Sequence, residues 1–190
     1  IAEIEPLVPQ VVSTYFGRAN HDVVRNPKVH VVIDDARHVV MTAREKYDAI
    51  TSDPLDPFVK GAASLYTREF FQAARDHLNP GGVMTVFVQL YHSSPDAVKS
   101  EIATFFEVFP DGLIWANADS GHAYDMLLYG QVGPTSIDLD DLDARLGQPA
   151  YAAVSRSLAE VGIRSVQDLL SSYTGRLRDW RAARQPSSQR

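Results

Sequence analysis

The sequence predicts an α/β domain with a doubly wound, mostly parallel sheet. Three observations lead there. Short β-branched runs alternate with helix-length amphipathic segments along most of the 190 residues, the pattern of strands joined by helical crossovers. The strand-like runs are apolar on both alternations, as strands covered on both faces are. Each of the first four runs ends at or beside a carboxylate or an amide.

Ile1–Glu5 reads as a strand, and Pro6-Leu-Val-Pro9 opens a helix with apolar residues at Leu7, Val8, Val11, Val12, Tyr15 and Phe16. Val29–Ile33 is a second strand that ends on Asp34-Asp35, with a helix predicted over Ala36–Arg44. Tyr47–Ser52 is a third strand, stopped by the prolines of Asp53-Pro-Leu-Asp-Pro57. A helix over Ser64–Leu78 follows, and Asn79-Pro-Gly-Gly82 turns into a fourth strand, Val83–Val88, leading to Gln89. The next helix is predicted over Pro95–Val108, with Val98, Ile102, Phe105 and Phe106 on one face. Strands near Leu113–Trp115 and Tyr124–Tyr129 close the unit. Residues 131–150 read as a linker, 151–183 as a helical extension split by Gly162, and 184–190 as a disordered tail. The first residue is Ile and no leader-like composition precedes the first strand, so an upstream segment is expected.

Composition narrows the function classes. Hydrophobic residues at 45% and charged residues at 22% are ordinary globular usage. The longest mostly apolar run, Val83–Leu90, is strand-sized and far short of a bilayer span. A net charge of −6 gives no field for a nucleic acid partner. The exception is local: Arg176, Arg178, Arg181 and Arg184 fall close together and read as a solvated helix face. Without cysteine there is neither disulfide nor thiolate metal site. Asp138, Asp140, Asp141 and Asp143 lack the glycine and terminal glutamate of a calcium loop and read as a solvated face. The histidines show no metal spacing. His38 and His77 read as helix-surface residues, and His92, after Gln89, as a candidate cleft residue.

Ligands of open parallel sheets bind outside the carboxyl ends of the strands. An acid ending such a strand accepts both hydroxyls of a ribose, a role open to Glu3 or Glu5. Asp35 is placed to accept from an adenine amine, with Asp34 as cap of the following helix. Asp53 and Asp56, held between prolines at a strand end, form an acidic rim suited to a cationic substrate or to accepting a proton. A turn held by an Asx-type bond is the structural alternative.

The ordered set Ala2-Glu-Ile-Glu-Pro6, Val32-Ile-Asp-Asp-Ala36, Tyr47-Asp-Ala-Ile-Thr-Ser-Asp-Pro-Leu-Asp-Pro57, Ser64-Leu-Tyr-Thr-Arg-Glu-Phe-Phe71, Leu78-Asn-Pro-Gly-Gly82 and Gln89 resembles the spermidine synthase family over residues 1–130. The resemblance implies a Rossmann-like, class I methyltransferase-like sheet lacking its first strand and glycine loop. It implies Glu3 on the ribose and Asp35 on the adenine of decarboxylated S-adenosylmethionine as co-substrate, with no tightly bound cofactor. Asp53 would be catalytic, and Asp56 and Gln89 would bind the amine. The implied reaction is aminopropyl transfer to an amine such as putrescine. Two positions depart from the family pattern: Tyr91 stands where an acid is usual, and Ala118 where a substrate-lining tyrosine is usual.

A non-catalytic nucleoside- or polyamine-sensing domain and an S-adenosylmethionine-dependent methyltransferase are the competing readings. The partners expected are a small-molecule polyamine and a nucleoside, with a homodimer left open. The Phe58-Val-Lys-Gly61 stretch and the helical end resemble bacterial proteins in which such a domain follows a transporter-like membrane region. The location expected is therefore cytoplasmic, either free or as the cytoplasmic domain of a membrane-anchored protein.

Overall fold

In the computed structural model, which describes residues 1–53, 57–119 and 122–176, the chain gathers into two units, Ile1–Lys46 and Tyr47–Arg190. The sequence predicts one domain over 1–130.

The first unit contains β1 (Ala2–Glu3), α1 (Leu7–Tyr15), β2 (Val32–Ile33) and α2 (Ala36–Thr42). The two strands pair in parallel, Ala2 with Val32 and Glu3 with Ile33. Both are shorter than predicted because local bonds compete with the ladder. The Glu5 N–H donates to the Glu3 carboxylate at 2.9 Å and the Asp35 N–H to that of Asp34 at 2.7 Å. At the front of β2, the Val29 N–H turns back to the Asn26 carbonyl at 2.9 Å.

The second unit runs β3 (Tyr47–Ser52), α3 (Arg68–Asp76), β4 (Leu78–Gln89), α4 (Pro95–Val108), β5 (Leu113–Asp119), β6 (His122–Gln131), α5 (Leu139–Leu146), α6 (Ala152–Glu160), α7 (Val166–Leu170) and β7 (Tyr173–Arg176). Its five strands lie in the order β3-β4-β6-β5-β7. β3 and β4 are parallel, whereas β4–β6, β6–β5 and β5–β7 are antiparallel. The sheet is therefore mixed, with its parallel part where the helical crossovers are.

In the second unit, too, elements differ from the sequence reading, and β4 begins at Leu78, ahead of the turn expected at Asn79-Pro-Gly-Gly82. The helix expected over 64–78 begins later, at α3, because Thr67 is extended and its hydroxyl caps the Phe70 N–H at 3.3 Å. A 3-10 turn, Ala62–Tyr66, precedes it. The stretch expected as linker contains α5, capped by Asp138 and closed by an Asp141–Arg145 ion pair one turn on. Within the expected helical extension, Tyr173–Arg176 is a strand on β5.

Alternation along β4 decides where the core sits. Met84, Val86 and Val88 are fully buried against Phe70, Phe71, Phe105 and Phe106 of α3 and α4. Phe105 packs edge-on to Phe71 at 5.2 Å between ring centres and stacks on Phe109 at 5.0 Å, geometries that aromatic quadrupoles favour. Thr85, Phe87 and Gln89 face the other way and are half-buried. On that side α5 and α7 leave an open apolar recess of about 260 Å³ lined by Trp115, Leu127 and Tyr129 of the sheet and Leu142 and Leu169 of the helices. Burial pushes the Tyr129 phenol up from its ordinary pKa. Among the described residues no helix is long and apolar enough to cross a membrane.

Candidate functional site

Within the first unit, Glu3 ends β1 and Asp35 follows β2, so both acids stand at the carboxyl ends of paired strands. Glu3 Oε1 accepts from the Glu5 N–H at 2.9 Å, and Glu5 Oε1 accepts from the Leu7 N–H, also at 2.9 Å. Glu5 is thereby occupied in starting α1, and Glu3 is the acid that belongs to the strand. At the next strand end the capping roles are the reverse of those expected. Asp35, not Asp34, is the cap of α2, accepting from the Arg37 N–H at 2.8 Å. Asp34 pairs with His38 Nδ1 at 2.7 Å. That bond, together with the Asp35 N–H, holds the Asp34 carboxyl below its ordinary pKa. His38 is thus a surface residue with a defined partner.

Within the second unit, Asp53 directly follows β3 and is exposed. Asp56 lies outside the described residues, so the acidic rim is represented by Asp53 alone. Gln89 is the last residue of β4; its Oε1 is shielded from solvent and, among the described residues, accepts no hydrogen bond. Buried acceptors are ordinarily satisfied, and this one lies where the fold class places ligands.

Sequence reasoning missed Asp125. It lies on β6 directly opposite Gln89 and is half-buried. Burial first, and then the nearby charge of Asp53, push its carboxyl above the ordinary range. A carboxyl raised in this way beside a second carboxylate favours a bound cation or a proton. The signal was present in the sequence: one acid inside the apolar run Tyr124–Tyr129, in a strand where aspartate is disfavoured.

Beside the pair, the Leu90 N–H donates to the Tyr124 carbonyl at 3.2 Å, and the Tyr91 ring stacks on Tyr124 at 4.5 Å. Tyr91 therefore fills with an aromatic contact the position where the resemblance expects an acid. His92, at φ 59°, packs edge-on to Tyr91, so the candidate cleft histidine is part of this aromatic group. His77 bonds the Ala73 carbonyl through Nδ1 at 2.8 Å and closes α3.

The carboxyl-end acids and Gln89 all fall within residues 1–113, which match the Spermine/spermidine synthase domain family. The chain is 28% identical over 159 residues to the polyamine aminopropyltransferase of Nitrosomonas europaea, covering 78% of this chain and 46% of that protein. It is 33% identical over 147 residues to polyamine aminopropyltransferase 2 of Hyperthermus butylicus, covering 75% and 48%. It thus spans about half the length of these curated relatives. Among solved structures, a spermidine synthase in complex with the transition-state analogue AdoDATO superimposes with a TM-score of 0.64 at 18% identity, over 83% of this chain and 60% of that one. Human methyltransferase-like protein 13 in complex with SAH superimposes with a TM-score of 0.61 at 21% identity, over 83% and 69%. These two establish the shared Rossmann-like, class I methyltransferase-like fold. The family match covers more than half of the residues, and the chain belongs to the spermine/spermidine synthase family.

Proposed function

We propose that the chain carries the nucleoside-binding and proton-accepting residues of a polyamine aminopropyltransferase. In this reading an amine nitrogen of an acceptor such as putrescine attacks the methylene carbon beside the sulfonium of decarboxylated S-adenosylmethionine. A C–N bond forms, the C–S bond breaks with its electron pair going to sulfur, methylthioadenosine leaves, and the proton shed by the nitrogen passes to Asp53. The observation that carries the reading is the family match over residues 1–113, because Glu3, Asp35, Asp53 and Gln89 all lie inside it at the carboxyl ends of strands.

The residues present fit the co-substrate. Glu3 and Asp35 each accept a bond from a backbone N–H, which fixes the carboxylate. An ionised carboxylate has about four acceptor sites, enough to take ribose hydroxyls or an adenine amine as well. The amine needs a proton acceptor because an alkylammonium titrates near pH 10 and is charged at neutral pH. The transporter-like region suggested by Phe58-Val-Lys-Gly61 and the helical end has no counterpart among the named relatives and rests on those two stretches.

The test is Asp53→Asn in the full-length protein, assayed for methylthioadenosine and aminopropylated product from decarboxylated S-adenosylmethionine and putrescine. Transfer is expected to fall about 10²-fold or more, with an unchanged melting temperature because Asp53 is exposed. Undiminished transfer in the variant would remove Asp53 from the chemistry. Tight methylthioadenosine binding without product in the unaltered protein would replace the enzyme by a sensing domain.

A further inference from the structure

Gln89 and Asp125 are direct partners in the β4–β6 ladder, which sets their Cβ atoms about 4.5–5.5 Å apart on one face of the sheet. Each lacks what the other can supply. Gln89 Oε1 is shielded from solvent and, among the described residues, has no donor, a state that buried acceptors rarely keep. The side chains beside it on that face, Phe87 two residues back and Leu127 diagonally across, are apolar and have nothing to donate. Asp125 is half-buried, and burial and then the charge of Asp53 raise its carboxyl above the ordinary range. It therefore keeps a proton where exposed acids have lost theirs. A protonated carboxyl has one O–H to donate, and an ionised one has none.

We propose that Asp125 is a positioning residue for Gln89, and that its proton decides which end of the amide faces outward. Protonated, Asp125 donates to Oε1 and leaves the Nε2 donors free; ionised, it accepts from Nε2 and leaves Oε1 free. The exchange is a half-turn about the last side-chain torsion of Gln89, whose preferences are broad, and it breaks no bond of the β4–β6 ladder. The resemblance makes Gln89 a lining residue; Asp125 makes what that lining presents depend on a proton.

The groups able to move this proton are few. Asp53, which follows β3, is the one whose charge reaches Asp125 among the described residues. On β4 and β5 the ladder partners of Asp125 are Gln89 and Asn117, both uncharged, and the loop after β4 brings Tyr91 and His92. Neither Asp53 nor Asp125 takes part in an ion pair among the described residues, so no cation offsets the charge of one at the other. Under the aminopropyltransferase reading, on which this one consequence rests, Asp53 takes up a proton in each turnover. Its charge is then gone, Asp125 gives up its own proton more readily, and Gln89 turns its oxygen outward.

The experiment follows the side-chain amide signals of Gln89 by NMR in isotope-labelled full-length protein, where they are the signals missing from Gln89→Met, as pH is raised from about 3 to about 8. They are expected to move in one step whose midpoint lies above the ordinary carboxylate range. In Asp125→Asn the step is expected to vanish. In Asp53→Asn it is expected to remain with a lower midpoint, because the charge that raises Asp125 has been removed. Signals that stay still in the unaltered protein, or that move as far in Asp125→Asn, overturn the proposal. A melting curve checks that Asp125→Asn folds; if it does not, Asp53→Asn decides, and a midpoint equal to that of the unaltered protein overturns the proposal. Initial rates with decarboxylated S-adenosylmethionine and 1,4-diaminobutane add a second readout. KM is expected to rise about tenfold per pH unit below the midpoint in the unaltered protein and to lose that dependence in Asp125→Asn, while kcat keeps its dependence on Asp53. A KM that responds to pH equally in both overturns the positioning role. If the unaltered protein transfers no aminopropyl group, the reaction reading fails, and the amide titration decides alone.

Discussion

The units Ile1–Lys46 and Tyr47–Arg190 are read from the same kind of sequence, strand then amphipathic helix, yet they hide very different amounts of apolar surface. In the first, Tyr15 is 77% and Ile4 71% exposed, both residues of β2 are exposed, and Val40 is the only buried large apolar side chain among the described residues. In the second, Phe71, Phe105 and Met84 are fully buried in one continuous aromatic-aliphatic core. Periodicity fixes which face of an element is apolar, not whether anything covers it. A nine-residue helix such as α1 is below the roughly 12–15 residues that hold a helix in water unaided. Order in the first unit therefore rests on local bonds, those of Glu3, Glu5, Asp34 and Asp35 with nearby N–H groups.

The largest expected effect of this difference is in amide hydrogen exchange. Amides of β4 and β6 should be slowed by about 10³-fold or more, since they open only with the whole unit. Those of α1 and β2 should exchange close to the rates of an unstructured chain. Equal protection in the two units, read by mass spectrometry on the same sample, would break the comparison. A selective slowing in the first unit on adding methylthioadenosine would sharpen it, because Glu3 and Asp35 are the acids assigned to the nucleoside.

Next in size is a matched pair of substitutions. Phe105→Ala removes a fully buried ring that touches Phe71, Phe106 and Phe109 and is expected to cost about 3–5 kcal/mol in denaturant unfolding. Tyr15→Ala also truncates an aromatic residue, but at an exposed site of α1, and should stay within about 0.5 kcal/mol. Similar costs for the two would mean that the exposed face of α1 is covered in solution.

The same contrast explains what was legible in the sequence. β3 and α4 match the reading to the residue because their ends are written locally. Asp53-Pro stops β3, and Ser94, whose hydroxyl accepts from the Ala97 N–H at 3.2 Å, starts α4 with Pro95 in its first turn. β7 was not legible. Its four residues include Gly175, and what makes them a strand is pairing with Leu113–Trp115, far away in sequence. α5 was legible in principle through its Asp138 cap and Asp141–Arg145 spacing, but its acids look the same as those of a solvated linker. The antiparallel pairing of β5 with β6 was also within reach, since only eight residues separate the strands read at Leu113–Trp115 and Tyr124–Tyr129, too few for a parallel crossover. In the candidate site, the strand-end placing of Glu3, Asp35, Asp53 and Gln89 could be read because acids and amides beside apolar runs stand out. Asp125 stands out less, and its significance comes from Gln89 across the ladder.

The smallest expected effect is a pH response of opposite sign in the two units. Asp34, held below its ordinary pKa by His38 and a backbone N–H, adds stability that is present above the ordinary carboxylate range and lost as pH falls through its own lowered pKa. Asp125, pushed up by burial and by Asp53, does the reverse. Its contribution is complete below the ordinary range, where it is protonated folded and unfolded alike, and is lost as pH rises through its raised pKa. At neutral pH the Asp125 charge is therefore a burden on the second unit. Asp125→Asn is expected to melt slightly higher than the unaltered chain at about pH 7, with the gap closing by about pH 3. Asp34→Asn is expected to speed exchange in α2 and β2 at neutral pH, by an amount that shrinks on acidification. Melting curves and exchange at the two pH values measure both. A gap for Asp125→Asn that widens on acidification would mean that its carboxylate is stabilised by a cation of the fold, against the raising by burial and Asp53.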